Sequence, residues 1–261
     1  MFFDTHCHLD FSVFDHDRDS ILQQCALKGI RTLCIPSVHF NDTHRVIALA
    51  HSPAPVLLVY GLGLHPCFIQ RHEKNHLDAL EKQLNNRDTS MVAIGEIGLD
   101  FAFSTDKFAR DKQLEFFDAQ LQLARAYQYP VIIHARKTHD LILKHFKAAP
   151  LLQGGIVHAF SGSEQQAYQY IEQGFKLGFG GGVTYERARR TRHLATVLPL
   201  ESLVLETDAP DMPLSGFQGK PNTPLQLPVI ARTIARLRGE TPERITEQTT
   251  CNAQQLFTLL R

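Results

Sequence analysis

The chain has 261 residues, enough for one large domain or two small ones, and a barrel of alternating strands and helices needs roughly 250. Lys and Arg total 27 and so do Asp and Glu, a formal net charge of zero that argues against coating long nucleic acid by bulk electrostatics but leaves room for a local positive pocket. Apolar residues make up 43% and charged residues 21%, the balance of a globular enzyme with material for a core.

In chain order, the first apolar run predicts a strand over Phe2–His6, followed by a helical pattern near Asp17–Leu27. A strand over Thr32–Pro36 leads to a helix near Asn41–His51, with Asn41 and Asp42 as starting residues. Val56–Leu62 precedes a helix near Asn75–Asn85, and Met91–Glu96 precedes a long one near Asp106–Tyr127. Pro130 introduces the strand Val131–His134, and a helix near Thr138–Ala149 follows. Gly155–His158 is followed by a helix near Ser163–Glu172, started by Ser163 with Glu164 beside it. Phe175–Phe179 is followed by a helix near Glu186–Val197. After the eighth strand, Leu203–Glu206, come helices near Leu225–Leu237 and Thr241–Leu259, the second expected to be broken. Gly29, Gly154 and Gly174 sit where helices should stop.

Strands apolar throughout and separated by helices imply parallel pairing covered on the outside, and eight such units closing on themselves give a single (β/α)8 TIM barrel spanning 1–261. A doubly wound open sheet is the alternative. Polar residues end strands from the first to the eighth, and only a ring brings those ends together, because neighbouring strands are about 4.8 Å apart.

Those strand ends carry metal-type side chains. His6 and His8 close the first run, two residues apart and therefore on one face, with Cys7 turned the other way as a packed thiol. Glu96, His134, His158 and Asp208 end four further runs. Buried imidazoles need protons or a metal to satisfy their nitrogens, and a carboxylate ending an apolar strand is costly unless paired or metal-bound. Six such ligands from five strands suit a site for two divalent cations, with Glu96 as the candidate bridge and Asp208 as both ligand and proton acceptor. Mixed imidazole and carboxylate donors admit Zn, Mn, Ni and Fe, and Mg less comfortably.

Glu206, one layer below Asp208, reads as either a partner of a histidine ligand or a buried ion pair. His65 reads as either a substrate contact or a structural histidine. Arg136, two residues past His134, is either a phosphate clamp or a loop arginine. Arg187, Arg189, Arg190 and Arg192 are either a nucleic-acid track or a solvated helical face, and Gly180–Gly182 either an anion nest or a tight turn. His16, His39, His44, His51, His72, His76, His139, His145 and His193 are expected at the surface. Five scattered cysteines (Cys7, Cys25, Cys34, Cys67 and Cys251) without a Cys-x-x-Cys pair fit a reducing compartment. No apolar run reaches membrane length, so a cytoplasmic protein without membrane contact or an obligate protein partner is expected.

The segments Asp-Thr-His-Cys-His-Leu-Asp, Gly-Leu-His-Pro, Gly-Glu-Ile-Gly-Leu-Asp, His134-Ala-Arg, Val-His-Ala-Phe-Ser-Gly and Glu-Thr-Asp-Ala-Pro resemble, in order and nearly end to end, the TatD family of metal-dependent deoxyribonucleases. The stretch from Asp211 to Asn222 is most similar to its YjjV-like branch. The resemblance implies an amidohydrolase-type barrel, a first metal on His6, His8, Glu96 and Asp208, and a second on Glu96, His134 and His158. Where the family commonly has tyrosine after Gly-Leu-Asp, this chain has Phe101-Ala-Phe103, which keeps a base-stacking ring and loses a phenolic hydrogen bond. The expected activity is phosphodiester hydrolysis by a hydroxide shared between two cations, exonucleolytic on single-strand DNA ends because a barrel mouth is a pocket. The alternative is ester or amide hydrolysis, such as deacylation of charged tRNA. A cyclic-amide substrate is disfavoured because Glu96 stands where many amidohydrolases bridge their metals with a carboxylated lysine, and a non-enzymatic metal-storing barrel is disfavoured by the intact ligand set.

Overall fold

A computed structural model of the chain describes residues 1–86, 88–104 and 106–258. Eight strands, β1 (Phe2–Asp4), β2 (Ile30–Pro36), β3 (Leu57–Leu62), β4 (Met91–Asp100), β5 (Val131–Arg136), β6 (Gly155–Val157), β7 (Phe175–Phe179) and β8 (Leu203–Leu205), pair in parallel in sequence order. That order has no reversal point, which rules out the doubly wound alternative. The ring closes through hydrogen bonds at and just past the ends of β8 and β1. Thr5 N–H donates to Leu205 O at 3.0 Å, Asp208 N–H to His6 O at 2.9 Å and His8 N–H to Ala209 O at 2.7 Å.

Helices α1 (Arg18–Leu27), α2 (Thr43–His51), α3 (Lys74–Asn85), α4 (Lys107–Tyr127), α5 (His139–Ala148), α6 (Glu164–Glu172), α7 (Arg189–Val197), α8 (Leu227–Arg238) and α9 (Pro242–Leu256) surround it. Their starts are written in local chemistry. Asp106 accepts the N–H of Ala109 at 2.8 Å, and Ser163 and Gln166 cap each other's backbone. Asn41 and Asp42, expected to begin α2, instead form a 3₁₀ turn ahead of it. The last helix was expected to break; it is continuous, because Thr241 caps it and Pro242 sits in the first turn, where its missing N–H costs nothing. The expected end at Leu259 lies outside the described residues.

One strand and one helix depart from expectation in ways that shape the site. β4 runs past Glu96 to Asp100, because its pairing with β5 shifts register between Ile94 and Ile97 and then continues to Arg136. Gly98 permits that continuation: at φ +146° it lies so close to β5 that an added Cβ would fall 2.0 Å from His134 O. Helix α7 begins at Arg189 rather than Glu186, after Tyr185 has donated its hydroxyl to Pro213 O at 2.7 Å.

The interior of the ring is filled by Phe3, Val59, Val92, Ile132, Ile156 and Val204, plugged from below by Ala253 of α9 and by Phe257 just past its end. A larger apolar layer joins strands to helices on the outside. Cys7 is wholly buried in that outer layer, as expected from its parity with His6 and His8.

Candidate metal centre

The C-terminal end of the ring carries the polar residues. Asp4 fastens the seam there: one oxygen accepts His6 N–H at 3.3 Å and Thr207 N–H at 3.0 Å, and the other accepts the Thr207 hydroxyl at 2.6 Å. This holds the segment bearing His6 and His8 against the one bearing Asp208. Burial pushes the Asp4 carboxyl up to about 8.

All six expected ligands converge. His6 Nε2 lies 3.2 Å from His8 Nε2, 3.1 Å from Glu96 Oε2 and 3.7 Å from Asp208 Oδ1. His8 Nε2 is 3.7 Å from both Glu96 Oε2 and Asp208 Oδ1. Donors about 2.1 Å from one cation at tetrahedral angles are separated by roughly 3.4 Å, so these spacings fit a divalent ion held by His6, His8, Glu96 and Asp208. The other Glu96 oxygen, Oε1, faces a second group: His134 Nδ1 at 3.0 Å and His65 Nε2 at 3.1 Å. His158 stacks on His6 with centroids 3.7 Å apart, its Nε2 lying 3.6 Å from Asp208 Oδ2.

Carboxylates stand behind two of the histidines. Asp100 Oδ2 takes His134 Nε2 at 2.9 Å, while Asp100 Oδ1 accepts the N–H groups of Ala102 and Phe103. Glu206 Oε1 accepts Ala159 N–H at 2.6 Å and lies 3.1 Å from His158 Nδ1, an ion-pair contact rather than an aligned hydrogen bond. Room for Glu206 comes from Gly178, where a Cβ would meet its carboxylate at 2.2 Å. Such carboxylate–histidine pairs fix which ring nitrogen is left to bind a cation.

Electrostatics follow from this packing. Burial would raise Glu96, but His65, His6 and His134 outweigh it and hold its carboxyl well below the usual range. Burial likewise opposes protonation of His134 and His158, yet Asp100 with Glu96 draws the first up to about 9, and Glu206 with Asp208 draws the second up to about 10. His6 and His8 are depressed by burial, His8 to about 4, and the Nδ1 atoms of both lack a partner. Burial raises Asp208 to about 7 against the pull of His158. Four imidazoles and two carboxylates so close together repel unless positive charge is shared among them, and a cation supplies it better than scattered protons.

Asp4 and Asp100 were missed in the sequence, although Asp100 stands four residues beyond Glu96 in an apolar strand and is 1% exposed. Arg136 is exposed at the end of β5; its carbonyl accepts Phe101 N–H at 3.1 Å, and its guanidinium has no hydrogen bond or ion pair among the described residues. Arg192 binds Val183 O at 2.9 Å and Arg187 lies over the Tyr185 ring, so these two arginines brace a loop. The glycine triplet is a 3₁₀ turn in which a Cβ on Gly181 would strike Met212 O. Three histidines expected at the surface are buried, His39 and His72 at 1% exposure and His139 at 8%; His39 Nε2 meets Arg71 O, His72 Nε2 meets His65 O and His139 Nδ1 meets the Tyr170 hydroxyl, while His72 Nδ1 and His139 Nε2 have no partner.

Residues 3–258 match the family of TatD related DNases. The chain belongs to the TatD family. It is 43% identical over 256 residues to the uncharacterized metal-dependent hydrolase YjjV of Escherichia coli K12, covering 98% of this chain and 97% of that one. The crystal structure of that TatD homolog superposes with a TM-score of 0.93 over 98% of each chain. The 3'-5' ssDNA/RNA exonuclease TatD of Erwinia billingiae is 32% identical over 263 residues, covering 98% of this chain and 99% of the relative. The chain is thus a metal-dependent hydrolase of the TatD fold, and among the described residues no helix is long and apolar enough to cross a membrane.

Proposed function

We propose that this protein hydrolyses phosphodiesters at the ends of single-stranded DNA, using two divalent cations held by His6, His8, Glu96, His134, His158 and Asp208. The observation that carries the reading is Glu96, whose two carboxylate oxygens face two different histidine groups, Oε2 toward His6 and His8 and Oε1 toward His134. When bound, the cations acidify water and polarise a phosphoryl oxygen.

The chain's own residues supply the rest. Asp208, just past the end of the eighth strand with Oδ2 3.6 Å from His158 Nε2, is the candidate acceptor of a proton from attacking water. Asp100 and Glu206 orient His134 and His158. Arg136, exposed two residues past His134, is the candidate to bind a phosphate oxygen. His65 shares an oxygen of Glu96 and so orients that carboxylate. A cleft of about 430 Å³ beside His8, lined by Phe11, Phe68 and Pro210 together with the charged Asp10, Asp42 and Arg45, and the exposed ring of Phe103 offer stacking surfaces for bases. A larger cavity, about 710 Å³, opens at the opposite end of the barrel, and among the described residues none of the six candidate ligands lines it. The exonucleases among the relatives support the nucleic-acid substrate.

The test is a panel of end-labelled single-strand DNA, RNA, closed circular DNA, acyl-tRNA and model phosphodiesters, run with Mg²⁺, Mn²⁺ or Zn²⁺. Stepwise shortening of single-strand DNA is expected, and Asp208→Asn should lower it by at least about a hundredfold. Nicking of circles without attack on ends, or cleavage of the acyl ester alone, overturns the proposal.

A further inference from the structure

A second cluster of imidazoles lies away from the centre just described. His39, in the loop after β2, His72, in the loop after β3, and His76, in the first turn of α3, place one ring nitrogen each within 4.8 Å of the others. The His39 and His72 rings lie 5.1 Å apart and His39 and His76 5.6 Å apart, walled by Phe40 against His76 and Phe116 against His72.

The decisive residue is His72. Its Nε2 donates to His65 O at 3.0 Å, which fixes the tautomer and leaves a lone pair on Nδ1. That Nδ1 is buried and has no hydrogen-bond partner. A buried acceptor without a donor is uncommon, and here two further imidazoles stand beside it. The neighbouring cation, Lys112, is engaged elsewhere: its Nζ donates to His72 O at 2.7 Å and lies over the Phe116 ring.

We propose that His39, His72 and His76 form a binding site for a borderline divalent cation, Zn²⁺ above all, distinct from the hydrolytic centre. Three imidazoles with no carboxylate among them suit Zn²⁺, Ni²⁺ or Cu²⁺ and give nothing to Mg²⁺ or Ca²⁺, and the fourth position falls to water. Half-exposed His76 is the way in. Uptake has a defined cost. His39 Nδ1 accepts the N–H of Asn41 while its Nε2 meets Arg71 O at 3.3 Å, and His76 Nδ1 accepts the N–H of Glu73, so bonds at both rings must rearrange when they turn a lone pair to the metal. The Glu73 amide is exposed, so water replaces its partner. A bound ion would clip the loop after β2 to the segment from His65 to His76, and His65 O already holds His72. The site therefore sits behind the loop that presents His65 to Glu96.

The test counts zinc. Full-length protein and the variants His76→Gln and His39→Gln are dialysed against Zn²⁺, and bound metal is measured by native mass spectrometry. Wild type is expected to hold one equivalent more than either variant, and Zn²⁺ should raise its unfolding midpoint more than theirs. Because His39 is buried, His76→Gln on the half-exposed turn decides the matter, provided its metal-free unfolding midpoint equals that of wild type. A lower midpoint transfers the decision to wild-type protein, where Zn²⁺ must speed hydrogen exchange at the Glu73 amide. Equal zinc counts in wild type and a stably folded His76→Gln, or an unchanged Glu73 amide, overturn the proposal and leave the hydrolytic reading intact.

Discussion

The two ends of the barrel are made by the same strands with opposite chemistry. On β5, Ile132 fills the interior and His134, two residues on, joins the polar cluster above it; Ile156 and His158 repeat the step on and past β6, and Val204, Glu206 and Asp208 on and past β8. Below, Phe257 packs 5.7 Å from Phe3 and closes an apolar plug. Above, the carboxylates of Glu96 and Asp208 are buried close enough to raise each other's cost of ionisation, and the imidazoles that offset them crowd one another. Stability is therefore concentrated at one end and reactivity at the other, where the surrounding ring holds charged groups in positions they would not adopt alone.

That division can be broken from below. Phe257→Ala removes the plug and should cost about 3–5 kcal/mol, read as a lower urea midpoint, while metal affinity of the folded protein stays unchanged. A parallel loss of metal affinity would show that the ends are not independent. From above, Asp100→Asn keeps the turn bonds to Ala102 and Phe103 through its carbonyl and removes the charge on His134. Calorimetric titration should show metal affinity falling about 10- to 100-fold, and the metal-free unfolding midpoint should fall as well because the buried pairing with His134 is lost.

A smaller effect separates the metal-centre histidines from those buried in the helix layer. Burial holds His139 at about 4 against 6.5 in the unfolded chain. Between those values the unfolded chain binds more protons, so stability rises with pH across the window and is lost as pH falls from 6.5 toward 4. His139 alone should contribute about 1 kcal/mol of loss over the first pH unit below 6.5, and His139→Gln should flatten the urea midpoint against pH by that amount. An unchanged slope would mean that His139 stays neutral in the unfolded chain or charges freely in the folded one.

The eight strands, their order and the six residues that converge as candidate ligands were legible in the sequence because each is a local signal: an apolar run of strand length followed by a polar residue of metal type. What escaped it depended on partners far along the chain. Asp4 matters because Thr207 lies across the seam, Asp100 because a register shift sets it beside His134, and Gly178 because Glu206 needs its space. His39, His72 and His76 read as polar loop residues until the loops after β2 and β3 fold together. The period of the sequence thus determined the ring and which strands carry ligands. Only the closed ring decided which carboxylate stands behind which imidazole, because charges buried side by side are set by distances that no spacing along the chain encodes.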